Sequence, residues 1–329
     1  MFRHDTSFDN LLDHHRQCGD LMALDPQAKA FLAYQGALNL PDVSELGIAA
    51  RFNGHEGIDM AGPIGDGAVI SHRFITTPTA DVAVRIYTPK SPGPYGGFIY
   101  FHGGGWVLGH IDRNDAQLVD FADRTHSIVL SVNYQKSPEH KFPIPHDDCY
   151  AGVQWLFANA ANLNIDTARI GVGGDSAGGN LAAGVALRAR DQKVKLAYQL
   201  LIYPATQLNF DTDSYLTNSE DFGLRRRGMI WFWSQYLNSG DEENPYAVPG
   251  AASDLSNLAP AIISTAEFDV LRDDGLTYAA ALRAAGNKVT NKNFEGQIHG
   301  FINHAKMIDA SYSLRSWIIN QVNALIKKN

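Results

Sequence analysis

Apolar and polar positions change rhythm along this chain, and each change predicts an element. Up to about residue 55 a helical pattern runs through Leu11, Leu12, Leu21, Met22, Leu24, Ala30, Phe31, Tyr34 and Leu38, interrupted by Pro26 and Pro41. From Val69 the rhythm becomes alternation, so residues 70–75 and 82–87 read as a hairpin closed by the turn at 78–81. After a Pro/Gly linker at 91–97, the short apolar run 97–101 reads as a buried central strand. Further strands are predicted at 128–134, 169–173, 196–203, 261–266 and about 288–294, with helices at 114–125, 146–159, 180–190, 275–285 and 305–327. Apolar strands alternating with helices predict an α/β fold with a mostly parallel sheet covered on both faces, made mixed by the hairpin.

One interval breaks the alternation. Between Pro204 and about Leu258 no strand pattern occurs, but Trp231, Phe232, Trp233 and Tyr236 fall in a helical stretch. An insertion after a strand's C-terminal end is where lids and pocket walls are built. Arg225-Arg226-Arg227, just before it, reads as a solvated helix start. His14-His15 reads as two solvated helix residues, because zinc ligands on a helix need i,i+4 spacing and further partners. No metal site is predicted.

Composition narrows the classes. A chain of 329 residues, 45% of them hydrophobic, can fill one large core, and the whole chain is read as one domain. A net charge of −8 argues against nucleic acid or an anionic membrane as partner, since both need a basic face. Cys18 and Cys149 read as free thiols of a reducing compartment. The polar N-terminus lacks the apolar core of a signal peptide, and no stretch approaches a membrane span of about 20 apolar residues. A cytoplasmic protein is expected.

The chemistry centres on Gly174-Asp175-Ser176-Ala177-Gly178-Gly179, between an apolar strand and a helix of small residues. G-x-S-x-G in that setting is the signature of a nucleophile elbow, with glycines where the sharp corner leaves no room for a Cβ. A serine needs a base to take its proton and a carboxylate to orient that base. The elbow architecture orders them Ser, acid, His along the chain. Two later strands end in Glu267-Phe268-Asp269 and in Glu295 to His299, on the sheet edge that carries the elbow. Asp269 competes there with Glu267, Asp273 and Asp274 as the acid, and His299 competes with His304 as the base. Upstream, His102-Gly103-Gly104-Gly105-Trp106 follows the buried strand, so bare backbone N–H groups could reach a carbonyl oxygen held at Ser176. His102 is read as a loop-holding residue.

Four ordered motifs, His102 to Trp106, Gly174 to Gly179, Asp269 to Asp273 and His299-Gly300-Phe301, resemble the hormone-sensitive lipase family of α/β-hydrolases, in particular the bacterial acetyl esterases. The resemblance covers about residues 24–325. It implies an α/β-hydrolase fold and a serine carboxylesterase, with Ser176 as nucleophile, His299 as general base and then acid, and Asp269 as orienting carboxylate. It further implies backbone donors at Gly103, Gly104 and Ala177, a cap formed by about 1–55 and 205–245, and no cofactor. Trp106, Trp231 and Phe301 are expected to line the substrate pocket, whose bulky aromatics favour acetyl to hexanoyl esters. Two departures stand out: Val270 where the family usually has proline, and Gln135-Lys136 after Tyr134 where Arg-Leu is commoner. Amide, carbamate or lactone hydrolysis would use the same three residues. A small-molecule receptor on this fold would usually lack one of them. The expected partner is a small ester; a homodimer is left open.

Overall fold

The structure, a computed structural model, describes residues 23–327, with the backbone alone for 53–59. The expectations for Leu11, Leu12, His14, His15, Cys18, Leu21 and Met22 therefore lie outside the described residues.

Eight strands form one sheet: β1 (Ala68–Thr76), β2 (Asp81–Pro89), β3 (Tyr95–Phe101), β4 (Ser127–Val132), β5 (Ile165–Asp175), β6 (Gln199–Ile202), β7 (Ala261–Phe268) and β8 (Val289–Ile298). Their order is β1-β2-β4-β3-β5-β6-β7-β8. β1 pairs antiparallel with β2, and β2 antiparallel with β4; every other pair is parallel. The hairpin closes where Thr77 N–H donates to the Ala80 carbonyl at 2.8 Å. At the centre, β3 and β4 are buried on both faces, as their unbroken apolar runs require.

The α-helices among the described residues are α1 (Pro26–Ala37), α2 (Val43–Leu46), α3 (Asp115–Thr125), α4 (Ile144–Asn159), α5 (Ala177–Asp191), α6 (Asp213–Thr217), α7 (Arg226–Tyr236), α8 (Arg272–Ala284) and α9 (Ala310–Ile326). The period of two in β3 divides its side chains between two cores. Ile99 and Phe101 pack with Leu156 of α4, Leu181 of α5 and Leu282 of α8. Phe98 and Tyr100 face the opposite layer, with Phe121 of α3 and Ile318 and Val322 of α9. The last helix begins at Ala310 rather than 305, because the backbone from His304 first turns back on itself: Met307 and Ile308 N–H both donate to the His304 carbonyl. The predicted strand 196–203 contracts to Gln199–Ile202, the stretch that matches β7 in register.

Two segments lie over the C-terminal edge of this sheet. Asp25 N–H donates to the Gly296 carbonyl, and Phe31 of α1 stacks on His304 with ring centroids 4.0 Å apart. Asp42 caps α2 through Ser44 N–H and accepts from Arg225 and Arg227 at the start of α7, at 3.4 and 3.3 Å. The three-arginine run is therefore an ion-pair clamp, Arg226 reaching Asp211 at 2.7 Å. Cys149 is a buried free thiol, its pKa pushed well up by burial, which keeps it un-ionised. Among the described residues, no helix is long and apolar enough to cross a membrane.

Candidate active site

Strand β5 runs into α5 through Ser176, whose φ of 57° and ψ of −120° lie where non-glycine residues are rarely found. The corner holds because its neighbours leave no alternative. Ser176 N–H donates to the Ile202 carbonyl at 2.8 Å, and Asn180 N–H returns to the Ser176 carbonyl at 3.0 Å. A Cβ at Gly174 or Gly178 would overlap the Phe101 carbonyl oxygen, so the tight approach of β3 to the elbow requires glycine at both.

Three side chains meet above this edge. Ser176 Oγ lies 2.9 Å from His299 Nε2, and His299 Nδ1 lies 2.7 Å from Asp269 Oδ2. Asp269 is fully buried, while the His299 side chain keeps 14% exposure toward the cavity. A carboxylate only accepts, so Asp269 places the imidazole proton on Nδ1 and turns the Nε2 lone pair to the serine hydroxyl. The remaining oxygen, Oδ1, accepts from Leu271 N–H at 2.9 Å. The acid loop is propped from α6: Ser214 Oγ donates to the Val270 carbonyl at 2.7 Å, and Asn218 Nδ2 donates to the Asp269 carbonyl at 3.2 Å. Val270 itself is buried, so apolar packing and these bonds hold the turn without the proline ring.

The competing residues are occupied elsewhere. Glu267 accepts from Gly296 N–H at 2.6 Å, Asp273 from Ser214 N–H at 2.8 Å, and Asp274 from Thr206 and Gln207 N–H at 2.9 and 3.1 Å. Burial pushes the Asp274 carboxyl well above the usual range. His304 is buried against Phe31, and burial, with Arg113 nearby, holds it well below the ordinary histidine range.

The glycine loop corrects one expectation. Gly103 N–H already donates to Asp175 Oδ1 at 2.8 Å, so it is not available to a substrate oxygen. Among the described residues, Gly104 and Gly105 N–H donate to no acceptor, and both glycines line the cavity beside Ser176. Ala177 is the first residue of α5, where a helix has no internal acceptor for its N–H. The N–H groups left unbonded here are thus those of Gly104, Gly105 and Ala177. Asp175, the variable position of the serine motif, is what selects them: its carboxylate also accepts from Tyr100 Oη at 2.6 Å and Asn303 Nδ2 at 3.4 Å. Burial, and then that carboxylate, push the Tyr100 hydroxyl well above its ordinary value.

His102 holds the loop. Its Nδ1 is 2.8 Å from the Gly103 carbonyl, its carbonyl accepts from Tyr134 Oη at 2.8 Å, and its ring stacks on Tyr134. Burial, then the Lys136 ammonium, keep it neutral by lowering its pKa well below 6.5. Lys136 is itself lowered to about 8, chiefly by burial.

A cavity of about 160 Å³ opens over Ser176 and His299. Its apolar wall is Leu224, Met229 and Phe232, not the three aromatics expected. In α7 the inward face repeats as Met229, Phe232, Trp233 and Tyr236, which leaves Trp231 on another face, edge-on to Phe232. Trp106, at a φ of 60°, turns into the core, where it stacks on Tyr236 at 4.5 Å and donates to Asn180 Oδ1 at 3.2 Å. Phe301 is fully buried behind His299, against Tyr203 and Phe294.

A family model described as alpha/beta hydrolase fold matches residues 98–303. Carboxylesterase NlhH of Mycobacterium tuberculosis is 39% identical over 239 residues, 70% of this chain and 74% of its own. This chain belongs to the hormone-sensitive lipase family of α/β-hydrolases. Within that family, an arylesterase of Saccharolobus solfataricus is 33% identical over 284 residues, 85% of this chain and 93% of its own. The solved structure of a thermostable esterase from Pseudomonas putida superposes with a TM-score of 0.88 at 30% identity, covering 94% of this α/β-hydrolase and 99% of that chain.

Proposed function

We propose that this α/β-hydrolase is a serine carboxylesterase acting on short-chain acyl esters. The observation that carries the reading is the unbroken hydrogen-bonded line from Asp269 through His299 to Ser176, ending beneath a cavity lined by unbonded N–H groups. Ser176 Oγ attacks the ester carbonyl carbon while His299 Nε2 takes its proton. The oxygen that gains negative charge accepts from Gly104, Gly105 and Ala177 N–H, worth on the order of 100- to 1,000-fold in rate per donor. Collapse breaks the bond to the alcohol, which leaves with the proton from His299. Water then attacks the acyl-serine through the same base, releasing the acid and restoring the serine. Asp269 supports the imidazolium formed in each half.

The residues of 205–245 that carry Leu224, Met229 and Phe232, with the described part of the N-terminal segment clamped to them, act in this reading as a cap that bounds the acyl group. The names and likeness of the relatives support ester hydrolysis, and the short apolar wall supports acetyl to hexanoyl chains. Hydrolysis of p-nitrophenyl esters from acetyl to dodecanoyl, by wild type and Ser176→Ala, tests both parts. Activity peaking at short chains and vanishing in the variant is expected. Faster turnover of dodecanoyl than butyryl esters would overturn the chain-length reading, and an active Ser176→Ala the mechanism.

A further inference from the structure

One charge in the cavity has no role in the chemistry above. Arg113 lies in the 3₁₀ turn Ile111–Asn114, after the glycine loop, and lines the cavity that contains Ser176 and His299. Its Nε is buried without a hydrogen-bond partner, and no described carboxylate lies within ion-pair distance of its guanidinium. The two carboxylates flanking it in sequence face elsewhere. Asp112 pairs with Arg85 and with His110, and Asp115 pairs with Arg85 at 2.6 Å. Asp175, the carboxylate nearest in the cavity lining, already accepts from Tyr100, Gly103 and Asn303. Other nearby arginines have partners: Arg51 pairs with Glu139, Arg225 and Arg227 with Asp42, Arg226 with Asp211, and the buried Arg315, outside the cavity lining, donates to the Ala61 and Ile302 carbonyls.

A guanidinium stays charged at every pH a protein tolerates, and Arg113 is half-buried, so part of its hydration is lost with no counter-ion to replace it. Its field is felt inside the site: it adds to burial in holding His102 and His304 neutral, and it acts on Tyr203. A planar fork of donors facing a substrate cavity matches a carboxylate, which can take two parallel N–H bonds.

Taking the esterase reading as given, we infer that Arg113 selects esters that carry a carboxylate, receiving it in the cavity while the ester carbonyl lies at Ser176. Half-esters of short dicarboxylic acids, or esters of carboxylate-bearing alcohols, are the substrate class. Arg113 determines specificity, and it takes no part in bond breaking.

The test compares kcat/KM for matched neutral and anionic esters at pH 7. On the acyl side these are p-nitrophenyl hexanoate and the mono-p-nitrophenyl ester of glutarate; on the alcohol side, phenyl acetate and 3-acetoxybenzoate. For at least one pair, the anionic-to-neutral ratio should fall on the order of 10- to 100-fold in Arg113→Gln. Arg113→Lys, which keeps the charge and loses the fork, should retain part of it, and added salt should lower the wild-type ratio. Which pair responds identifies the side of the ester that bears the charge. An equal ratio in wild type and Arg113→Gln for both pairs overturns the inference, even if both rates fall together. Calorimetric titration of glutarate into Ser176→Ala, with and without Arg113→Gln, reads the anion site without turnover. Glutarate binding that depends on Arg113 in a protein that hydrolyses none of the esters would sink the esterase reading and keep the anion site.

Discussion

The floor and the wall of the cavity are built by different forces. The floor is a buried hydrogen-bond network: Asp269 to His299 to Ser176 on one side, and Tyr100, Gly103 and Asn303 converging on Asp175 on the other. The wall is apolar, Leu224 with Met229 and Phe232 of a helix anchored at its start by ion pairs near the surface from Arg225, Arg226 and Arg227. Buried networks fix positions sharply because an unpaired member is costly, whereas exposed ion pairs contribute about 0–1 kcal/mol. The difference teaches where this molecule tolerates change. Groups that must meet reacting atoms are overdetermined, and the surface that bounds the substrate is held by interchangeable contacts.

Breaking the floor should give the largest effect. Asp269→Asn preserves shape but donates where the carboxylate accepted, favouring the wrong histidine tautomer; kcat should fall roughly 10⁴-fold. Steady-state kinetics beside a thermal melt checks it, and a loss below about tenfold would mean that Asp269 does not orient His299.

Acidification should separate the two regions. His146 is buried and lowered from 6.5 to about 4, first by burial and then by Arg188. Between those values the unfolded chain binds a proton that the folded one refuses, so stability rises with pH across the window and falls on acidification. The loss for His146 alone is about 3 kcal/mol by pH 4, and the buried, lowered His102 and His304 act in the same direction. The anchoring carboxylates act in the same direction but in a lower window, because their folded pKa values also lie below the unfolded ones and their share is lost only as pH falls through the carboxylate range. Burial would raise Asp42, but hydrogen bonds from Ser44 and the charge of Arg227 outweigh it, and Arg51 draws Glu139 down to about 2. Denaturant unfolding at pH 7, 6 and 5 should therefore show falling stability, with a shallower slope in His146→Gln. Equal slopes would remove His146 as a cause.

The smallest effect belongs to the anchors. Arg226→Ala removes a pair whose arginine is 36% exposed and whose Asp211 is 74% exposed, so stability should change by no more than about 1 kcal/mol. A loss above about 2 kcal/mol in a denaturation midpoint would show the wall to be more tightly determined than its contacts suggest.

The convergence of Ser176, Asp269 and His299 is legible in the sequence because each lies at or just past the end of a strand, β5, β7 or β8, and parallel strands bring those ends to one edge. The donor loop is less legible. Gly103 and Gly105 are equivalent as letters, and which N–H faces the cavity depends on the carboxylate of Asp175, 72 residues and two strands later, at a position where the motif accepts any residue. For the wall, residue type was a poorer guide than helix phase. Trp231 is the larger ring, but the 3,4-residue spacing of Met229, Phe232, Trp233 and Tyr236 marks the inward side. Trp106 escapes both signals, since a backbone turned to positive φ sends its indole away from the loop it follows. Arg113 is invisible as a pattern, because its distinction is a place in the cavity lining without an ion-pair partner, which only the fold reveals.

Gly105 and Phe232 touch so closely that any Cβ at 105 would fall within the phenyl ring. The glycine loop and the apolar wall of the cavity consequently share one volume. Position 105 is thus closed twice over, by the ring of Phe232 and by a φ of 60° that disfavours any side chain, so widening the wall at 232 relieves only one of the two constraints.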